Sequence, residues 1–497
     1  MTGTHPLVEE QVPHKTNLPC SSSGTRPALQ NLLTPTPNRK NSTVHVARLV
    51  ETALPLVRVP LVASTAAPRL AASQRAFAHI SQFHPELTAF RRDLHAHPEL
   101  GFEEVYTAGR VAAALRLCGA DEVYTGVGKT GVVAVIRGQD RAATHQNAKS
   151  HNGHNESSGA KGASPMVALR ADMDALTMTE HNAFGWKSTR SGVMHGCGHD
   201  GHTTMLIGAA RYLAATRQFA GDAVLVFQPA EEGRGGAQAM IADGLFERFP
   251  VSAIYAMHNW PSLQRGVIGL NAGPMMAAAD RITITITGKG GHGAHAYLTV
   301  DPVLVAAHII TAVQSIVSRN VKAVDSAVIS LCAMQAGDPN AMSVVPDAAT
   351  LTGTVRSFDP AVQALIERRL SEVCCGVAQA LGATATVGYE RLYPATINTH
   401  AEYALAAEVA EQLVGSANVV RNLEPSMGAE DFSFMLQHRP GAYLRIGQGE
   451  VLTGGAQEKA GSGGRFLHSS CYDFDDRILP LGSALFAGIV ERSLPLS

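Results

Sequence analysis

The sequence has no surplus of either charge: 40 Lys and Arg stand against 42 Asp and Glu, a formal net charge of −2 with histidine neutral. Nucleic acids and anionic membranes both select a basic surface, so neither is expected as a partner. Long apolar runs are lacking too. The nearest approach to a membrane span, Val303 to Val317, is short and carries His308 and Gln314. No apolar core follows Met1, so no signal peptide is expected. Cysteine is sparse, seven scattered over 497 residues. That is not a disulfide framework, and a reducing compartment, the cytoplasm, is expected. What remains is a chain that is 45% hydrophobic and about three times the usual domain length, enough for two domains plus extra material. Histidine is plentiful, 21 residues, and its placement carries the functional argument.

Residues 1–74 are expected to form a disordered tail. The first 70 hold nine of the 25 prolines and seven Lys or Arg against only Glu9, Glu10 and Glu51. Such an acid-poor start is also compatible with organelle targeting, although Glu9, Glu10 and the prolines suit a transit helix poorly. Residues 75–279 read as the first part of an α/β domain. A helix is predicted over Phe77–Leu94, a second over Tyr106–Leu117 and a strand over Gly131–Ile136. The polar stretch 139–164 reads as a surface insertion; its His145, His151 and His154 lack carboxylate or Cys support and are expected to be solvated. From Met166 onward strands and helices alternate: MVALRA, a helix over Thr203–Ala215, AVLVFQ and SAIYAM. Near Asp280 the pattern changes. RITITIT alternates strictly, then come a helix over Pro302–Ser318, strands SAVISLCAM and ATLTGTVRSF, a helix over Pro360–Leu381 and the strand TATVGYE. This β-α-β-β-α-β order predicts a ferredoxin-like unit over 280–395, inserted into a larger domain that 396–497 completes. Cys374 and Cys375 fall in its second helix, as packing residues.

Four segments place metal-type ligands directly after predicted strands, where open α/β sheets bind ligands. MVALRADMDAL offers Asp172 and Asp174. MHGCGHDGH crowds His195, Cys197, His199, Asp200 and His202 into nine positions; in an extended segment Cys197 and His199 would point the same way. Packing alone does not explain such a density of ligand types. A Cys197 thiolate can bridge two divalent cations, and imidazoles suit the same metals. AVLVFQPAEEG supplies Glu231 and Glu232, whose side chains diverge, so one can hold a cation while the other moves a proton. SAIYAMHNW presents His258, and GRFLHSSCYDF adds His468. Together they predict a dinuclear centre.

In order along the chain, RRDLHAHPELGFEE, LRADMDAL, MHGCGHDGH, FQPAEEG, MHNWP, GPMMAAADR, GGH, TVDPV, SRNV, GTVRSF and MGAEDFSFML strongly resemble the hippurate hydrolase and aminoacylase branch of the metallo-amidohydrolases. That branch includes bacterial N-acyl-amino-acid amidohydrolases and plant hydrolases of auxin–amino acid conjugates. The resemblance spans about Phe90 to Arg477. It implies a metallopeptidase-like α/β catalytic domain in two parts, an inserted lid that also mediates homodimerisation, and two divalent metal ions, manganese or zinc. It further implies that Cys197, His199, Glu232, His258 and His468 are ligands, with Cys197 bridging. Glu231 would be the general base, and Asp174, supported by Asp172, would orient the site. His292 of GGHGAH would stabilise the oxyanion, often in the partner subunit's site, and Arg356 of GTVRSF would meet the substrate carboxylate.

The implied reaction is hydrolysis of an N-acetyl- or N-benzoyl-type N-acyl-L-amino acid to a carboxylate and a free amino acid. Glu231 would take the proton of water and pass it to the leaving amine, with His292 holding the oxyanion. Two alternatives stand beside it: a dipeptidase of the same fold, and a non-catalytic metal- or metabolite-binding relative. The chain departs from the branch at GGHGAHAY, at Ser343-Val344-Val345-Pro346-Asp347 and at LHSSCYDF, and its 451–464 stretch has no counterpart there.

Overall fold

Four apolar runs pair side by side as parallel strands. Their spatial order is Asp222–Gln228, Met166–Asp172, Ala253–Gln264 and Gly441–Gly449. They belong to a computed structural model that describes residues 70–139, 164–450 and 466–496. The readings made for 1–69, for 140–163 with its three histidines, and for 451–465 lie outside the described residues. Gly131–Arg137 and Glu122–Val127 extend one edge of the sheet antiparallel, and the short strands Ile268–Gly269 and Val419–Val420 extend the other. The result is a mixed eight-stranded sheet.

Both faces are covered, so the central strands read as apolar runs and not as an in–out alternation. Val167, Leu169, Ala171, Leu225 and Tyr255 face a core built with helices Ala72–Ile80, His84–Ala96, Val105–Cys118, His199–Thr216, His400–Val414 and Leu479–Ser493. Ala168, Val224, Val226 and Ile254 face the opposite core, made with helices Gly236–Ala242, Leu245–Arg248 and Phe432–His438. The single helix predicted over Phe77–Leu94 is two helices joined by the 3₁₀ turn Ser81–Phe83. Pro85 explains the break: it lacks the N–H that would continue the ladder but suits a first helical turn.

Between residues 278 and 393 the chain forms a separate four-stranded antiparallel sheet. Its strands are Ala278–Thr287, Ala327–Ala336, Ala348–Ser357 and Thr384–Tyr393, arranged second-third-first-fourth. Ile282, Ile284 and Ile286 pack against Val305 and Ile309 of helix Pro302–Ala312 and Ile366 and Leu370 of helix Pro360–Ala380. The helix expected over Pro302–Ser318 is interrupted at Val313, after which Gln314–Arg319 continues. Each long helix starts with an Asp-Pro pair: the Asp301 carboxylate accepts the Val303 N–H at 2.8 Å, and Asp359 that of Ala361 at 2.6 Å. Cys374 packs in this core, whereas Cys375 is exposed. The two chain crossings between the sheets run side by side, with Ala279 opposite Tyr393 and Met276 opposite Thr396.

Candidate metal centre

Three adjacent parallel strands aim their carboxyl ends at one cleft. Asp172 ends the first, with Asp174 two residues on. Glu231 and Glu232 follow Gln228, and His258 lies in the third. The Cys197–His199 segment is not extended as predicted. Gly198 turns left-handed at φ 97°, and the helix already begins at His199. A Cβ at residue 198 would collide with Asn259 Oδ1 and the Tyr472 hydroxyl, so this sharp turn requires glycine. Beside the ligands two non-glycine residues, Ala230 at 54° and His468 at 63°, also have positive φ. Each costs about 1–3 kcal/mol, strain that collects at functional sites. The His468 N–H donates to the Gly196 carbonyl at 2.7 Å and docks this late segment on the Cys197 loop.

The five predicted ligands converge. Cys197 Sγ lies 3.3 Å from His258 Nε2. The ligand atoms of Cys197, His199 and His258 lie within 4.8 Å of one another, as do those of Cys197, Glu232 and His468. Cys197 is common to both groups. His468 Nε2 is 3.3 Å from Glu232 Oε1, and His199 Nε2 is 4.0 Å from it. The His199 Nδ1–H donates to Asp174 at 3.2 Å and the His258 Nδ1–H to the Asn259 carbonyl at 2.7 Å, so both rings turn Nε2 inward. Asp174 also accepts the backbone N–H groups of Glu231 at 3.0 Å and Glu232 at 2.9 Å, fixing both glutamates. Buried His199 Nε2 has no hydrogen-bond partner among the described residues, and buried Glu232 Oε1 meets the His468 imidazole at 3.3 Å without hydrogen-bond alignment. Buried polar atoms are nearly always satisfied, and a cation between such thiol, imidazole and carboxylate donors satisfies them. The donor set therefore fits divalent metal ions.

The cleft's charges agree. Burial pushes the Asp172 carboxyl up, yet His199, His202 and Arg170 outweigh it and hold it well below its ordinary range. Burial pulls the His199 imidazole down, but Asp172 and Cys197 hold it well above its ordinary value. Burial, with His202 beside it, keeps His258 well below. Cys197 and Glu232 push His468 up to about 10, and burial raises the Cys197 thiol. Burial, followed by Glu430, Glu232 and Asp431, raises Glu231 well above an ordinary carboxyl. Around the centre lies a cavity of about 350 Å³, whose wall adds Trp260, Met276 and Leu467.

Other candidate residues lie away from this cluster within one chain. His195, counted among the potential ligands, is buried apart from the cluster, and burial lowers its imidazole to about 4. His202 turns to Asp172 at 2.6 Å and to Asn259 Oδ1 at 2.6 Å. His292 is exposed on the short strand Gly291–His292 and does not line the cavity; its Nδ1 accepts the Ala294 N–H at 3.1 Å. Arg356 is half-buried in the smaller sheet and is likewise not in the cavity wall. Within one chain the smaller unit thus brings neither residue to the cations' cleft.

Sequence reasoning missed the support beneath the ligands. Fully buried Arg170 binds Gln228 at 2.8 Å, Asp172 at 2.8 Å, Glu430 at 2.9 Å and Asp431 at 3.2 Å. The signal was there, a charged residue amid the apolar run MVALRA. Arg170→Met would strip the guanidinium from three buried carboxylates, Asp172, Glu430 and Asp431. It is expected to destabilise the fold by about 3–5 kcal/mol, read from denaturant unfolding of the purified protein. Asn259 with Tyr472 (2.7 Å apart) and Glu104, which accepts the Ala230 N–H at 2.8 Å, were also not anticipated.

Comparison with known proteins agrees with this arrangement. The chain is 38% identical over 409 residues to hippurate hydrolase of Campylobacter jejuni, covering 82% of this chain and 97% of that one. It is 36% identical over 419 residues to IAA-amino acid hydrolase ILR1-like 4 of Arabidopsis thaliana, covering 83% and 87%. Among solved structures, the Bacillus subtilis YXEP protein, described as a dinuclear metal binding peptidase, aligns with a TM-score of 0.67 and 31% identity over 83% of this chain and 99% of its own. The profile of Peptidase family M20/M25/M40 matches residues 168–460. By these matches and by the ligands gathered at its strand ends, the chain belongs to the peptidase family M20/M25/M40.

Proposed function

We propose that this chain is a metal-dependent amidohydrolase that cleaves N-acyl-L-amino acids of the N-acetyl or N-benzoyl type to a carboxylate and a free amino acid. The observation that carries this reading is the convergence of Cys197, His199, Glu232, His258 and His468 beside Glu231, a buried carboxyl raised toward proton-carrying duty. Those five residues would hold two divalent cations, manganese or zinc, with the Cys197 thiolate as the donor common to both ligand groups. When bound, the cations lower the pKa of water and polarise the scissile carbonyl. Glu231 accepts the proton of the attacking water and returns it to the leaving amine. Asp174 holds the Glu231–Glu232 peptides and the His199 ring in register, while Asp172 bonds His202 beside the His258 ring. Trp260, Met276 and Leu467 offer the acyl group an apolar wall. The names of the hippurate and IAA-amino acid hydrolases support an N-acylated amino acid as substrate. The described cysteines are all free, which suits a cytoplasmic protein.

The test is release of free amine from a panel of N-acetyl and N-benzoyl amino acids, with manganese or zinc added. No release from any member rejects the reading; turnover of unblocked dipeptides alone makes the chain a dipeptidase.

His292 is exposed far enough to serve a second copy, so we place the oxyanion histidine across a lid-mediated homodimer, with Arg356 of the lid meeting the substrate carboxylate. Mixing inactive His292→Ala with inactive Glu231→Gln is then expected to restore about a quarter of wild-type activity, since random exchange puts both intact residues at one shared site in about half the dimers. Measured after subunit exchange, no recovery would place His292 in its own chain's site or outside the reaction.

A further inference from the structure

Tyr393 ends the last lid strand, Thr384–Tyr393, and its hydroxyl leaves the lid to donate to the backbone carbonyl of Glu231 at 2.8 Å. That carbonyl also accepts the Gly233 N–H at 2.7 Å. The turn at 229–233 is bent through the strained Ala230 and is held from outside at several points. Glu104 takes the Ala230 N–H and Asp174 those of Glu231 and Glu232, while Tyr393 takes the carbonyl. The Tyr393 ring meets Phe434 edge-on, 5.9 Å between centroids, and walls both the cation cleft and a second cavity of about 500 Å³ between the smaller sheet and helix Phe432–His438. Burial, with Asp431 and Glu231 nearby, holds the phenol well above its ordinary value, so it stays a donor.

The position of this residue is what gives the bond its consequence. The chain passes between the sheets twice, at Ala279 opposite Tyr393 and at Met276 opposite Thr396. Paired crossings of this kind define a hinge, and atoms near the hinge move least when one unit rotates. A rotation about these crossings would leave Tyr393 against the Glu231 peptide while the lid's remote parts moved.

We propose that Tyr393 is a positioning residue: from the pivot of the lid its hydroxyl fixes the Glu231 peptide and so aims the carboxylate into the cleft whatever the lid's position. The role assigned to that carboxylate rests on the amidohydrolase reading above.

Tyr393→Phe tests it, because it keeps the ring against Phe434 and removes only the donor. Loss of one such hydrogen bond is expected to lower kcat about tenfold, with KM and bound metal unchanged. Hydrogen-exchange mass spectrometry of the cation-loaded protein should show residues 229–236 exchanging about tenfold faster, with the strand Thr384–Tyr393 unaltered. A kcat within about twofold of wild type, or unchanged exchange over 229–236, overturns the proposal, as does a fall in kcat accompanied by metal loss. The exchange measurement needs no turnover. If the wild-type protein releases no amine from the panel and Tyr393→Phe still loosens 229–236, the activity is wrong and the tether stands.

Discussion

Glu231→Gln is expected to bind its cations as the wild type does and yet lose about 10²- to 10⁴-fold in kcat. The substitution keeps size and shape. The backbone N–H bonds to Asp174 and the Tyr393 bond to the Glu231 carbonyl do not involve the altered side chain. What disappears is a group able to take and return a proton. Such a carrier works best when its pKa approaches the working pH, and burial among Glu430, Glu232 and Asp431 moves Glu231 in that direction. Metal content by elemental analysis and kcat on an N-acyl amino acid separate the two effects. Full activity would remove Glu231 from the mechanism. Equal loss of metal and activity would make it a ligand instead, an outcome its grouping with His199 and Glu232 leaves open to measurement.

Cys197→Ala should have the opposite signature, losing metal first and activity with it. Its sulfur is the atom common to the His199–His258 group and the Glu232–His468 group, so neither half of the centre is complete without it. The thiol is buried and raised, and a cation must displace its proton to bind. Wild-type affinity for metal should therefore climb with pH, and the alanine variant should lose part of that dependence. After dialysis against a weak chelator the variant is expected to retain at most half the wild-type metal. Unchanged content would exclude the thiolate as a bridge. His258, relieved of its 3.3 Å neighbour, gives an internal control because its Nδ1 bond to Asn259 is untouched.

The parts of this architecture that were legible from sequence share one property: their signal is local. Apolar runs such as MVALRA and AVLVFQ announce covered strands, and RITITIT announces a sheet with one face open. Ligand-rich turns after those strands point to the cleft. The parts that were not legible depend on distant residues. That Cys197 and His199 converge around a left-handed Gly198, and not along a strand, follows from Asn259 and Tyr472, which crowd that backbone from far along the chain. Arg170 pairs with Glu430 and Asp431 across 260 and 261 positions, which no periodicity reveals. Tyr393 lies past the predicted strand TATVGYE, and nothing local to it tells that its hydroxyl meets the Glu231 carbonyl. His292 and Arg356 show the converse limit: a motif names the residue but does not say which cleft it serves.

The pairing of Ala253–Gln264 with Gly441–Gly449 has a consequence for biosynthesis. At ribosomal speeds of about 5–20 residues per second, roughly 10–35 s pass between the emergence of these neighbours. Throughout that interval the nascent sheet presents a naked, strongly apolar edge while the intervening lid is already able to collapse on its own. The protein is thus born with a sticky flank that only Gly441–Gly449 can seal, and chaperone dependence or inclusion-body formation during overexpression should track the pace of translation across that gap.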